Sequence, residues 1–299
     1  MNNPYRYKAF GLRIESEFPI DQLPQQSAGD ADVRIVQADL KGLTHAQRMI
    51  PTPNSVFFRG MEQGLNYVTD GRLIQVDPVD NYSPSKMGLY LMGSGMGAIL
   101  IQRGFMLLHG SCVTDGRHAI LITGDSGAGK STTAAEFLRR GWKLLTDDVT
   151  AVFDVEGTPT VQPSYPSQKL WRDALDRYEV SDDDVHSLYF SEEREKFGVS
   201  VADSFYEGVC PLSMVVRLLP AEQNCSIHEI TGIARVDQLL RNSYRSNFIA
   251  PEDRQRHFQR CVTLSGKIPM AMAIRENGKQ CAGIMYELIT NFMEEHCHD

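Results

Sequence analysis

The stretch His118–Arg140, HAILITGDSGAGKSTTAAEFLRR, is the most informative in the chain. Its first part, His118–Thr123, is a short aliphatic run of the kind that forms a buried strand. Its last part, Thr132–Arg140, is rich in good helix formers and is followed by Gly141, a helix terminator. Between them lies GDSGAGKS, Gly124–Ser131, which fits G-x-x-x-x-G-K-[ST] in the strand-loop-helix setting that this pattern requires. The glycines let the backbone wrap a phosphate chain, so that N–H groups and the helix N-terminus meet the negative oxygens. Gly124, Asp125, Ser126, Gly127, Ala128, Gly129, Lys130, Ser131 and Thr132 are therefore the expected nucleotide-binding residues. Lys130 is expected at the β- and γ-phosphates, and Ser131 on Mg2+. ATP and Mg2+ are the cofactors this implies. A glycine-rich turn that bound nothing would cost conformational entropy without return.

Outward from this loop, the apolar run Trp142–Leu145 ends in Thr146-Asp147-Asp148. A carboxylate at a strand end beside a phosphate-binding loop can hold Mg2+ directly or through water. Two adjacent carboxylates can divide the work, one on metal and the other taking the proton of an attacking hydroxyl. Spacing alone does not distinguish the two. On the other side, Met106-Leu107-Leu108-His109-Gly110 is apolar enough to be buried, and its strand is expected to pair with the one feeding the loop. His109 could polarise a carboxylate or the attacking hydroxyl, although a core histidine satisfied by a backbone partner is the alternative.

The whole chain of 299 residues is about two domains long, and 42% apolar residues suffice for a core. A net charge of −8 disfavours nucleic acid and anionic lipid as partners. Six cysteines without C-x-x-C spacing read as reduced thiols. The start, MNNPYRYKAF, lacks the apolar core of a signal peptide, so a cytoplasmic location is expected. The longest uncharged stretch, Met87–Gln102, is shorter than the ~20 apolar residues of a membrane span and reads as a buried helix.

Residues 1–84 alternate in short strand-like runs, with Asp70-Gly71 suited to a two-residue hairpin. They are expected to form a β-rich domain, joined through Asp80–Lys86 to a second domain, 85–299. Downstream, a helix is expected from Ser167 to Tyr178 and another over Asp182–Tyr189. The charged stretch Ser191–Phe205 is expected to be a mobile loop. Strands Leu212–Leu219, Ser226–Ile230 and Pro269–Ile274 are expected among helices Val236–Asn242, Glu252–Ser265 and Gln280–His296. Arg241 and Arg245, at i,i+4 beside Tyr244, could receive a peptide carboxylate.

The order His109-Gly110, GDSGAGKS, Arg140-Gly141-Trp142 and Leu144-Leu145-Thr146-Asp147-Asp148 resembles the catalytic domain of HPr kinase/phosphorylase. The likeness is close from about Phe105 to Val155 and weaker out to Trp171. It implies an α/β fold with a P-loop kinase core of the HPr kinase/PEP carboxykinase type, preceded by the β-rich domain. By resemblance, Lys130 and Ser131 bind phosphate and Mg2+, and Asp148 is a metal ligand. Asp147 is then the base for a serine hydroxyl, and His109 assists Asp147. The Arg-Gly-x-Gly run associated with phosphorolysis is absent. Nearest to it stands Arg194-Glu195-Lys196-Phe197-Gly198, from which Lys196 or Arg194 could approach the phosphates.

Phe10–Ile14, Asp32–Ile35 and Arg103-Gly104 resemble the HPr-kinase-like proteins of peptide biosynthetic clusters, which include kinases of lasso-peptide precursors. The implied activity is ATP-dependent phosphorylation of a peptide or protein serine, the C-terminal serine of such a precursor. HPr kinases assemble as homo-oligomers, a further partner type the resemblance implies. Two readings compete: a kinase of a small hydroxyl-bearing molecule, and a regulator that senses nucleotide without transferring phosphate.

Overall fold

The computed structural model describes residues 4–27, 29–60, 63–172, 175–176, 185–190 and 195–297. The chain divides into two compact units. The first comprises residues 1–107, 169–200 and 245–256, and the second 108–168, 201–244 and 257–299. These are not the linear halves 1–84 and 85–299 expected from composition.

The first unit is built on a six-stranded sheet made by β1 (Tyr5–Ala9), β2 (Leu12–Ser16), β3 (Val33–Gln37), β4 (Ser55–Arg59), β5 (Gly64–Thr69) and β6 (Leu73–Pro78). Their order is β1-β2-β3-β6-β5-β4. The Asp70-Gly71 hairpin forms as read, with φ of 55° and 61° at the two turn residues. α1 (His45–Met49) is a short capped helix before β4. α2 (Pro84–Tyr90) opens on a Ser83 cap with proline in its first turn, then passes through a π-helical turn, Leu91–Gly95, into α3 (Met96–Gln102).

This helical run belongs to the β-rich unit because its apolar residues, Met87, Leu91, Met96, Ile99 and Leu100, are fully buried. Its end is tied to the sheet. Gln102 accepts from the Gly71 N–H and donates to the Val68 carbonyl, and Arg103 donates to the Gly71 carbonyl. The expected linker is thus partly helix.

The second unit begins within β7 (Met106–His109) and continues with β8 (Ser111–Thr114), β9 (Ala119–Thr123), α4 (Lys130–Arg139), β10 (Lys143–Thr146), β11 (Val149–Val155) and β12 (Thr158–Gln162). β13 (Ser167–Trp171), β14 (Val185–Phe190) and β15 (Glu195–Ser200) make a separate three-stranded sheet, order β13-β15-β14. The helix expected from Ser167 is therefore a strand at its start. Burial there alternates, with Gln168 and Leu170 inside, which is a period of two. The second expected helix is likewise strand from Val185, and the expected loop is strand over Glu195–Ser200. Residues 177–184 and 191–194, including Arg194, lie outside the described residues.

The chain returns through β16 (Cys210–Ala221), β17 (Ser226–Glu229), α5 (Ile233–Arg241), α6 (Arg254–Lys267), β18 (Met270–Glu276) and α7 (Ala282–His296). The sheet is mixed. β9, β16 and β18 run parallel, while β10-β8-β9 and β17-β18 pair antiparallel. β12 joins the beginning of β16, and β11 and β7 follow it. One hydrophobic core lies among Ile120, Ile122, Phe137, Val216, Met285 and Ile289. α4 ends as the sequence directs: Gly141 has φ 92°, its N–H reaches the Leu138 carbonyl and the Trp142 N–H reaches that of Phe137.

Candidate active site

The run read as one strand over Phe105–Thr114 is two strands broken at Gly110. A Cβ on Gly110 would stand 2.4 Å from the Ile122 carbonyl oxygen, so only glycine lets the chain cross there. β8, not β7, pairs with β9. His109 therefore sits at the end of β7 and not on the strand beside the loop-bearing one. It faces the turn between β10 and β11. The turn that follows α5 holds it from behind: the His109 N–H donates to the Asn242 carbonyl at 2.7 Å, and the Tyr244 ring stacks on the imidazole at 6.0 Å.

The Gly124–Ser131 loop links β9 to α4 as expected. Gly124, Gly127 and Gly129 have φ of 136°, 80° and 100°, all in the region that side chains avoid. Gly124 also lies against β16, where a Cβ would come within 2.6 Å of the Leu218 carbonyl oxygen. Lys130 directs its ammonium across the loop to the carbonyls of Gly124 at 2.9 Å and Asp125 at 3.1 Å. Two arginines from the neighbouring parallel strands touch the loop. Arg217 pairs with Asp125 at 3.6 Å, and Arg275 donates to the Ala128 carbonyl at 3.2 Å.

The two aspartates point to different partners. Asp147 is buried, accepting from Ser111 Oγ at 2.5 Å and from Ser131 Oγ at 3.3 Å. Asp148 has φ 79°, a left-handed conformation that costs a non-glycine residue about 1 kcal/mol or more. The Gly110 N–H at 3.3 Å and His109 Nδ1 at 3.0 Å both meet its carbonyl oxygen, and Nδ1 is 3.3 Å from its Oδ1. Thr146 and Thr150 staple the turn through hydroxyls 2.6 Å apart. Because Nδ1 faces acceptors only, it is assigned the proton. Burial pushes the His109 pKa below its ordinary value; the Asp148 carboxylate opposes this and the Lys130 ammonium adds to it. The ring is therefore neutral at pH 7.

The structure thus brings His109, Lys130, Ser131, Asp147 and Asp148 to one place, but pairs them differently from the resemblance. The imidazole meets Asp148, and Ser131 meets Asp147. Arg241 and Arg245 share no helix face. α5 ends at Arg241, which pairs with Asp237 at 2.6 Å, and Arg245 has φ 49°. The sequence reading missed Ser111, Gln168, Arg217 and Arg275. Ser111 stands two residues from His109, so alternation could have placed it on the same side. Gln168, whose Nε2 donates to the Ser131 carbonyl at 3.0 Å, and the two arginines are remote in sequence and carry no local signal.

All six cysteines are free, and no helix among the described residues is long and apolar enough to cross a membrane. Residues 102–168 match the family model described as HPr Serine kinase C-terminal domain. The HPr kinase/phosphorylase of Clostridium beijerinckii is 50% identical over 50 residues, 17% of this chain and 17% of that protein. That of Lacticaseibacillus casei is 30% identical over 115 residues, 38% of this chain and 35% of that protein. The matches thus span about a sixth to a third of the length of these curated relatives. The solved Hpr(Ser) kinase/phosphatase from Coxiella burnetii aligns at TM-score 0.35 and 12% identity, over 63% of this chain and 91% of that one. The likeness to the HPr serine kinase C-terminal domain therefore lies in residues 102–168, the segment holding His109, the whole Gly124–Thr132 loop and both aspartates.

Proposed function

We propose that this protein transfers the γ-phosphoryl group of Mg-ATP to a serine hydroxyl of a peptide or protein. The observation that carries this reading is the split of the Asp147-Asp148 turn, with one carboxylate on Ser131 and the other beside a half-buried, neutral imidazole. The Gly124–Ser131 backbone wraps the phosphates, and Lys130 exchanges loop carbonyls for phosphate oxygens. Asp148 accepts the proton of the incoming serine, while His109 Nδ1–H orients the turn that bears it. The serine Oγ attacks the γ-phosphorus, its proton passes to Asp148, and the bond to the β-phosphate oxygen breaks to release ADP.

Asp147 and Ser131 offer the hard oxygen donors that suit Mg2+. No cluster of three or more His, Cys, Asp or Glu among the described residues could hold a metal alone. Mg2+ shared with substrate phosphates needs only one or two carboxylates, so the donor set fits. When bound, it neutralises charge developing on the phosphates. The roles of the two aspartates are thus exchanged relative to those implied by resemblance, because the side chain nearest Ser131 is that of Asp147.

The finer acceptor we propose, from the resemblance of the amino-terminal segments, is the C-terminal serine of a lasso-peptide precursor. Incubation with γ-labelled ATP and peptides ending in serine, peptides with internal serine, and small hydroxyl metabolites tests both levels. Transfer to metabolites alone removes the peptide reading, and transfer only to internal serine removes the finer one. Asp148→Asn is expected to lower the transfer rate by about 10²- to 10⁴-fold while Mg-ATP binding is retained. If Asp148→Asn leaves transfer unchanged, Asp148 is not the base.

A further inference from the structure

Arg275 stands at the end of β18, the third of three parallel strands that begin with the loop-bearing β9, and its Nε–H donates to the Ala128 carbonyl at 3.2 Å. That carbonyl belongs to the peptide group whose N–H is that of Gly129. In a trans peptide the C=O and the N–H point in opposite directions. Holding the oxygen on the outside of the loop therefore turns the Gly129 N–H to the inside. Among the described residues the Gly129 N–H has no acceptor in the protein, so it is available to an anion.

Gly129 makes this orientation soft on its own. Its φ is 100°, and glycine rotates between conformations more freely than any other residue. The arginine side chain also lies against it, 3.5 Å from where a Cβ would be. A guanidinium suits the task better than an ammonium, because its donors are fixed in a plane on a partly buried stem. The brace at the other end of the loop, Arg217 to Asp125, is an ion pair on a mostly exposed carboxylate and fixes no peptide group.

We propose that Arg275 is a positioning residue for the nucleotide, presetting the Ala128–Gly129 peptide so that its N–H meets a phosphate oxygen. It does so without touching the nucleotide. This inference rests on the phosphoryl-transfer reading above.

The test is calorimetric titration of Mg-ATP into the full chain and into Arg275→Ala, Arg275→Lys and Lys130→Ala, with thermal melts of each protein alone. Arg275→Ala is expected to weaken Mg-ATP binding about tenfold or more, and millimolar guanidinium ion is expected to restore part of it. Arg275→Lys, which keeps the charge and loses the fixed plane, is expected to fall between. Wild-type affinity in Arg275→Ala, within about twofold, overturns the proposal. So does weak binding that guanidinium does not improve while Arg275→Lys binds as weakly as Arg275→Ala. Should Arg275→Ala fail to fold, Arg275→Lys decides: wild-type affinity overturns the proposal and weakened affinity at an unchanged melting temperature supports it. If the wild-type chain itself binds no Mg-ATP while folded, the phosphoryl-transfer reading fails first and this inference with it.

Discussion

Removing the Ser111 hydroxyl is the most direct probe of how the buried carboxylate is held. Ser111 is 1% exposed and Asp147 5%, and their hydrogen bond is 2.5 Å long. In Ser111→Ala, Asp147 loses its shortest donor and keeps Ser131 Oγ at 3.3 Å. A hydrogen bond to a charged group is worth about 1.5–3 kcal/mol, and little water can enter to replace it. At about 2–4 °C per kcal/mol for a unit of this size, the melting point should fall by roughly 3–12 °C. The assays are thermal unfolding for the melting point and urea unfolding for the free energy, both followed by Trp142, which lies in the second unit, in a Trp171→Phe background that silences the other tryptophan. The cause can be isolated by adding Asp147→Asn. If the loss comes from a buried charge short of donors, neutralising the charge recovers about 1 kcal/mol or more, and the two changes are not additive. Additive changes, or a Ser111→Ala loss below about 0.5 kcal/mol, would mean that Ser111 does not hold the Asp147 charge.

Gly110→Ala should disrupt the site as well as stability, because the new Cβ meets the Ile122 carbonyl at 2.4 Å and the shift moves the N–H that holds Asp148. A lowered melting point accompanied by loss of transfer checks this. Phe137→Ala should cost about 3–5 kcal/mol by urea unfolding, since the ring is fully buried between Trp142 and Tyr286. His257 is held below its ordinary pKa of 6.5 by burial, with Arg260 adding to the effect. The unfolded chain therefore takes up the proton first, so stability is complete above about pH 6.5 and falls as pH drops below it. Replacing the residue, His257→Gln, should flatten the stability curve between about pH 7 and pH 5. His109 contributes with the same sign, so the flattening is partial.

Much of the site is legible along the chain because its parts are local. The Gly124–Ser131 loop needs a strand before it and a helix after it, and all three are adjacent in sequence. The hairpin at Asp70-Gly71 and the helix end at Gly141 follow from single residues with positive φ. The errors fall where long-range packing decides. Ser167–Trp171 has a plausible helix cap, yet it is a strand because pairing with β15 supplies its hydrogen bonds. A linear reading puts the Met87–Gln102 helix in the second domain, whereas it belongs to the first unit, since composition does not say which sheet its apolar face covers.

Along the chain alone stand a loop of the G-x-x-x-x-G-K-[ST] pattern at Gly124–Ser131, two adjacent carboxylates after it and a histidine before it. These are chemical identities at fixed short spacings. Which carboxylate lies beside which neighbour follows from the fold. Asp147 and Asp148 are adjacent in the chain, so spacing treats them alike. The left-handed turn at Asp148, held by Gly110 and His109, sends one side chain to Ser131 and the other to the imidazole. The same holds for Arg275, which reaches the loop only because three parallel strands lie side by side. Hydrogen bonds act over about 3 Å, and what lies within that distance is settled by folding.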